Sequence, residues 1–442
     1  MVGVMFITEI IIGAIVFSIA AGYISKINIG FFAMGFAYII GAFIMGLPVK
    51  EIMALWPMKL FFIVLGVSLF YNFPIHNGTL NTLAMLILYK CRKVVQGLPF
   101  IIFFIAMFIA GIGAGYFATV AFLCPISMIL CEKTGINKLL GVFAVTFGAC
   151  AGANFMSSMF GLIYTGIMEQ AGFAPQAFGY ATSIFIATTI EPLIFIGLLM
   201  LLPANRARSA ENKLDVEKPE PFTSKQKINL TLITLLVVIV LLPPVLHLLY
   251  PDAELITFIN KKVDVGFMAI ILSIIAFTLK LGDERTVLLH LPWGTILMLC
   301  SMGMLIGLAV KSGAVPILAH WLSGNIPTSI LPVVVAALAG FISFFSSTSG
   351  VVAPTLFPMV AHLSSESGIP PMLLFTVIIM ASQCTGAVSP FSSGGSLALA
   401  SCRSPEEATE LFKKLMFLAT PGVYVAVLVL IFICSLVYNY II

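Results

Sequence analysis

The chain has 442 residues, 60% of them hydrophobic and 9% charged, with a mean hydropathy of +1.14. No soluble core can bury that much apolar surface, so the composition excludes a soluble globular protein and points to a polytopic membrane protein. The net charge of +4 resides in loops and speaks to topology, and no basic stripe with interleaved aromatics gives a footing for nucleic-acid binding.

Apolar runs long enough to cross roughly 30 Å of hydrocarbon as helices recur from end to end. The first, 5–24, lacks the basic flank and small-residue cleavage site of a removed signal peptide and reads as a retained span. Further spans are expected near 29–48, 53–74, 139–169, 179–203, 227–250, 262–281, 292–310, 368–400 and 416–441, which makes ten. Two other apolar stretches, about 95–131 and 328–363, are too long for one crossing and carry glycine and polar residues at mid-length. They read as re-entrant hairpins, which lipid tolerates when protein shields the tips. The segment PANRARSAENKLDVEKPEPFTSKQK, 203–227, is charged and proline-bearing, and reads as a linker. If it is cytoplasmic, 17 of the 22 Lys and Arg lie on the cytoplasmic side and both termini lie outside. The linker thus divides the chain into halves 1–202 and 228–442. Each half holds five spans, one of them broken (139–169 and 368–400), and one hairpin. Five is odd, so the second half is expected to be inverted relative to the first.

The halves share features in the same order, as homologous repeats should. LWPMKLF (55–61) resembles LPWGTIL (291–297), and HNGTLNTLA (76–84) resembles KSGAVPILA (311–319). In the hairpins AGIGAGYFATVAFLCP (110–125) lies over AGFISFFSSTSGVVAP (339–354), and NFMSSMFGL (154–162) lies over SPFSSGGSL (389–397). The fold expected is therefore all-α, built of two inverted repeats.

A helix interrupted at membrane depth offers free N–H groups and a positive dipole end to an anion, and free carbonyls to a cation such as Na⁺. Serine and threonine hydroxyls suit both tasks, and glycine lets the backbone approach a ligand. The candidate site residues are thus Thr119 and Ser347, Thr348 and Ser349 at the hairpin tips, and Asn154, Ser157, Ser158, Ser392, Ser393 and Gly394 at the helix breaks. Asn77, in the polar cluster His76-Asn77-Gly78 that ends the third span, joins them. The Ser157–Ser158 and Ser392–Ser393 pairs are expected to face each other across a pseudo-two-fold axis. Na⁺ is a candidate near Thr119 and Ser157, and near Ser347 and Ser392; no other cofactor is expected. Among intramembrane charges Glu9 lies near a span end and Lys59 is placed to snorkel, whereas Glu191 sits deeper as a packed, paired or protonatable carboxylate.

At HNGTLNTLA, SSTSGVVAPTLFP and SPFSSGG the chain resembles the MatC-type dicarboxylate carriers, a branch of the ion transporter superfamily that also includes divalent anion/sodium symporters. The resemblance runs over essentially the full length through the order of spans and hairpins. It implies a secondary transporter of a small dicarboxylate, with Thr119 and Ser347 to Ser349 as substrate contacts at the hairpin tips. Asn154, Ser157, Ser158, Ser392 and Ser393 would lie at the helix breaks. It further implies a homodimer in a bacterial inner membrane, with the first, second, sixth and seventh spans as a scaffold past which hairpins and broken helices move as an elevator. The symporters carry Ser-Asn-Thr at both tips. Here the tips read GYFATV and SSTSG, which leaves Na⁺ symport, H⁺ symport and anion exchange open.

Two other classes compete. A cation/proton antiporter of the same superfamily needs a mid-membrane carboxylate, for which Glu191 is the candidate. A membrane-embedded hydrolase needs a base near a nucleophile, yet His76, His247, His290, His320 and His362 sit at span ends or in loops, and HExxH and GxSxG are absent. The chain is therefore not read as an enzyme. GxxxxGK[ST] is absent too, and the eight cysteines form no CxxC pair, reading as small core residues.

Overall fold

The computed structural model describes residues 2–90, 96–202, 205, 217–250, 253–402 and 404–441, and every regular element among them is helical. Most of the 203–227 linker lies outside the described residues.

Helix α1 (Val2–Ser25) is followed by α2 (Ile29–Ile39), which runs on through a π-turn at Ile40–Ile44. A short α3 (Val49–Met53) leads to α4 (Met58–His76) and α5 (Thr79–Lys90). Helices α6 (Leu98–Ile109) and α7 (Gly115–Thr134) both lie along α8 (Lys138–Ala153), so the chain turns back at 110–114. After an interruption come α9 (Met159–Met168) and α10 (Ala177–Met200). The later part begins with α11 (Ser224–Leu249), capped by a reciprocal Thr223–Gln226 box, and the amphipathic α12 (Glu254–Lys262). Helices α13 (Val265–Thr278), α14 (Glu284–Leu289), α15 (Trp293–Lys311) and α16 (Ala314–Asn325) lead to a second turned-back pair. Its outgoing arm is α17 (Leu331–Phe345), and its return arm is α18 (Ala353–Leu356) with α19 (Val360–Ser367). Both arms pack on α20 (Pro371–Val388). The chain ends with α21 (Ser393–Ala400), α22 (Pro405–Lys414) and α23 (Thr420–Ile441).

Seven runs among the described residues are long and apolar enough to cross a membrane, and shorter apolar helices lie at Phe6–Gly22, Ile29–Ile44, Lys138–Ala153, Val265–Thr278 and Leu331–Phe345. The protein is a multi-pass membrane protein. The sequence boundaries fall within a few residues of the helices, while α3, α5, α12, α14, α16 and α22 are short helices in stretches where no span was expected.

Two helix pairs form a frame whose contacts match. Helix α2 packs on α15, and α4 packs on α13. Asn28 and Asp264 cap α2 and α13 with their side chains, and a glycine stands two residues beyond each, in NIGFF and DVGFM. A Cβ added at Gly30 would lie 2.8 Å from the Leu297 carbonyl oxygen; one added at Gly266 would lie 2.6 Å from that of Phe62. When Pro57 is set on Pro292, Phe62 falls on Leu297, so the two contacts are the same contact made twice. Likewise α4 and α15 both end before a left-handed glycine, Gly78 at φ 75° and Gly313 at φ 79°.

These approaches leave no room for a side chain. Gly266→Val should lower the stability of the purified protein by about 1–3 kcal/mol through overpacking, seen as a clear drop in its melting midpoint. Gly179→Ala, with nothing within 4 Å of the new Cβ, should leave the midpoint unchanged.

Candidate functional site

Helix α8 stops at Ala153 and resumes as α9 at Met159; α20 stops at Val388 and resumes as α21 at Ser393. The residues before the resumed helices have nearly the same conformation: Ser158 at φ −96°, ψ 169°, and Ser392 at φ −91°, ψ 170°. Both occupy the N-cap position, and neither caps its helix. The Ser158 hydroxyl instead donates to the Ala110 carbonyl at 2.8 Å, in the first hairpin turn. The Ser392 hydroxyl turns to the carbonyls of Gly386 and, at 2.8 Å, Ser389. An α-helix cannot satisfy the amides of its own first turn, so α9 and α21 each present N–H groups without a capping side chain.

Beside the second break lies a cavity of about 220 Å³, below the roughly 300–1,000 Å³ of sites for drug-sized ligands. Its polar lining is Ser343, Ser346, Ser347, Thr348, Ser349, Ser392, Gln383 and Tyr116, with the backbone of Gly394. No charged side chain lines it among the described residues. Ile29 of α2 and Met298 of α15 bring the frame to its wall. The hairpin hydroxyls bond mostly to one another, Ser343 to Thr348 at 2.9 Å and Ser347 to Ser349 at 3.4 Å, while Ser347 also accepts from the Gly350 amide at 3.1 Å. Such hydroxyl pairs can rotate their protons to suit an incoming acceptor. The phenol of Tyr116 is buried beside the Cys150 thiol, and a Cβ on Gly394 would lie 2.2 Å from its oxygen, so this hydroxyl stands over the first turn of α21.

The two broken helices meet behind the cavity. Asn154, fully buried, donates to the Gln383 side-chain oxygen at 2.6 Å and to Thr188 at 2.8 Å. Gln383 returns a bond to the Asn154 oxygen at 2.8 Å and donates to Tyr164 at 3.1 Å. The amide pair spans the halves and links α8 to α20.

Of the residues expected from sequence, Ser347, Thr348, Ser349, Ser392 and Gly394 line one cavity. Thr119 lies a turn beyond the first hairpin tip, and its hydroxyl donates to the Gly115 carbonyl at 2.7 Å. The chain reverses earlier, at AGIGA, where Gly113 takes φ 115° and Gly115 φ 68°. The Tyr71 ring packs on Gly113 where any Cβ would sit, 1.7 Å from a ring carbon. Ser157 is buried with an unpartnered hydroxyl away from the cavity, Ser158 is bonded to the hairpin, and neither lines the cavity with Ser392. Asn77 caps the end of α4 and accepts from the Thr79 amide at 3.1 Å, a local turn, and does not line the cavity. The Ser393 side chain lies outside the described ones. Tyr116 and Gln383 were not singled out from sequence; Gln383 was detectable as an amide within the apolar run IIMASQCTGAV. Among the described residues no three His, Cys, Asp or Glu gather as a metal site.

This helix arrangement is found in solved transporters. It is similar to the Alcanivorax borkumensis YdaH transporter, reported with an unusual topology, at TM-score 0.57 and 18% identity over 87% of this chain and 86% of that one. It is also similar to Neisseria gonorrhoeae MtrF, described as illuminating a class of antimetabolite efflux pumps, at TM-score 0.52 and 15% identity over 87% of this chain and 82% of that one. At such identities the likeness is one of fold. In sequence, residues 5–153 match the family model described as dicarboxylate carrier protein MatC N-terminus, so the MatC-type resemblance holds over the N-terminal region. No curated protein matches the sequence. The chain is thus a multi-pass membrane protein whose residues 5–153 are similar to the N-terminus of the MatC-type dicarboxylate carriers.

Removing one amide of the Asn154–Gln383 pair strands the other. Asn154→Leu and Gln383→Leu should each cost about 1–3 kcal/mol, and in a double-mutant cycle the paired change should cost less than the sum by about 0.5–3 kcal/mol. Melting curves of the four proteins measure this.

Proposed function

We propose that the protein is a secondary active transporter of a small organic anion, a C3 or C4 dicarboxylate, driven by Na⁺ or H⁺ symport or by anion exchange. The observation that carries the reading is the cavity of about 220 Å³ lined by hydroxyls, one phenol and one amide, without a charged side chain. Hydrogen bonds to an ionised group are stronger than those between neutral groups. An anion can therefore be held there by donors that leave no fixed charge behind when it departs. One carboxylate would meet Ser347, Thr348 and Ser349. The other would meet Tyr116 and the first-turn amides of α21, where the helix dipole favours negative charge. The same lining offers hydroxyl oxygens to Na⁺ near Ser347 and Ser392; near Thr119 and Ser157 only the Ser157 hydroxyl is without a partner.

The mechanism we infer is an elevator of two inverted repeats, 1–202 and 228–442, joined by a cytoplasmic linker. Its support is the repeated order of elements and the doubled frame contact of α2 on α15 and α4 on α13. The cavity is walled by the frame at Ile29 and Met298 and by hairpin and break residues elsewhere. Sliding the broken helices and hairpins past the frame would move the bound anion from one membrane face to the other. In this reading the protein works as a homodimer in the bacterial inner membrane.

Uptake of labelled malonate, succinate, malate and tartrate into proteoliposomes, with Na⁺, pH and internal anion varied independently, tests the proposal. At least one anion should be taken up saturably. Ser347→Ala should raise its half-saturation concentration about tenfold to a hundredfold, the loss of one charge-assisted hydrogen bond of about 1.5–3 kcal/mol. No uptake of any member by folded protein would contradict the reading. A cysteine at Ser347 should be protected from thiol reagents by the transported anion, and unchanged labelling at saturation would mark SSTSG as a packing motif.

A further inference from the structure

Helix α10 has two unlike faces. Ile186, Ile190, Ile194 and Leu198 are between 43% and 57% exposed, as a lipid-facing stripe should be, whereas Ile184, Thr188, Glu191 and Ile196 are buried. Glu191 is 1% exposed, and the one side-chain donor beside its carboxylate is the thiol of Cys384. Among the described residues it is the one buried side chain of Asp, Glu, Lys, Arg or His type. It borders a void of about 10 Å³, close to the roughly 10–15 Å³ that one water needs.

The groups around it say which ion fits. Helix α8 contributes Cys150, α20 contributes Cys384 and the Gln383 amide, and α10 itself Thr188; Tyr164 of α9 is bonded to Gln383. No basic side chain borders the void among the described residues. The Gln383 oxygen and the Thr188 hydroxyl are already taken by Asn154. A site this small, with its oxygens engaged, suits a proton and one water better than a metal cation. A buried carboxylate with no cation beside it, and only the weak Cys384 thiol as donor, is stable there as the neutral acid.

The void is not isolated. Cys150 and Gln383 line both it and the hydroxyl cavity, so Glu191 stands one layer of side chains behind the proposed anion site. We propose that Glu191 is the proton-binding site of the carrier, coupled to anion binding in the hydroxyl cavity, which makes it a proton–anion symporter. This rests on the anion-carrier reading. An anion in the cavity repels a second negative charge behind the same wall and so favours the protonated acid. By linkage the proton favours the anion to the same degree. The proton enters from the face that supplies the anion, is held on the Glu191 carboxylate during the crossing, and leaves when the anion does.

The test uses proteoliposomes holding wild type, Glu191→Gln or Glu191→Asp, with labelled malonate, succinate, malate and tartrate, an internal pH dye, and dicyclohexylcarbodiimide as a probe of membrane-buried carboxylic acids. In wild type, acid outside should drive anion accumulation, the anion should acidify the lumen without Na⁺, and the carbodiimide should modify Glu191 more at low pH than at high pH. In Glu191→Gln, gradient-driven accumulation and anion-dependent acidification should fall about tenfold or more, while anion counterflow persists. Gradient-driven accumulation retained in Glu191→Gln would overturn the proposal. So would wild-type counterflow with no proton movement, or proton movement driven by Na⁺ without any anion. If Glu191→Gln does not fold, the wild-type proton and labelling measurements decide. Wild type without counterflow of any of the four anions would instead defeat the carrier reading itself, and this inference with it.

Discussion

A helix broken inside a bilayer frees backbone groups that no water can satisfy, and each one left unpaired costs several kcal/mol. The rest of the structure follows from how this chain meets that demand. Ser158 donates to the Ala110 carbonyl at 2.8 Å, and Ser389 to the Phe344 carbonyl at 2.6 Å. Thr420 reaches the Val388 carbonyl at 3.2 Å from the last helix. In each half a serine at the break is therefore bonded to the turn of the neighbouring hairpin. Break and hairpin are thereby tied together, beside the α2–α15 and α4–α13 frame.

The same demand makes the site lopsided although the frame is doubled. In the first half the hairpin turn is AGIGA, closed by glycine conformations against Tyr71, and it supplies no hydroxyl. In the second half the turn is SSTSG, where Gly350 lies so close to Met298 that a Cβ would come within 2.0 Å of its methyl. The hydroxyls near that contact are the ones left facing the cavity. Two carboxylates of one anion would thus meet unlike surroundings, a hydroxyl cluster on one side and a phenol with helix amides on the other.

Much of this architecture was legible in the sequence because its signals are coarse and physical. Two overlong apolar runs with polar centres coincide with helix pairs in which the chain turns back, and the Ser-Ser pairs lie near the places where α8 and α20 stop. The site was less legible. Thr119 drew notice as a hydroxyl in GYFATV, but threonine in a helix readily satisfies itself on the carbonyl a turn behind, as Thr119 does with Gly115. Tyr116 resembled one more aromatic of an apolar helix, since only the three-dimensional approach of α21 turns its hydroxyl into a donor for the cavity. The Asn154–Gln383 pair joins residues 229 positions apart, a contact that no local pattern announces. Asn77 drew notice for its polar neighbours, which serve the end of α4.

The central claim is that an anion is held by neutral donors at the second hairpin tip and the α21 break. The most direct measurement is an experimental structure of the purified protein with a bromine-labelled succinate, the bromine located by its anomalous signal. The account predicts bromine density within the cavity between Ser347, Thr348, Tyr116 and Gly394. Density confined to other places on the protein, with this cavity empty at a concentration that saturates transport, would contradict it.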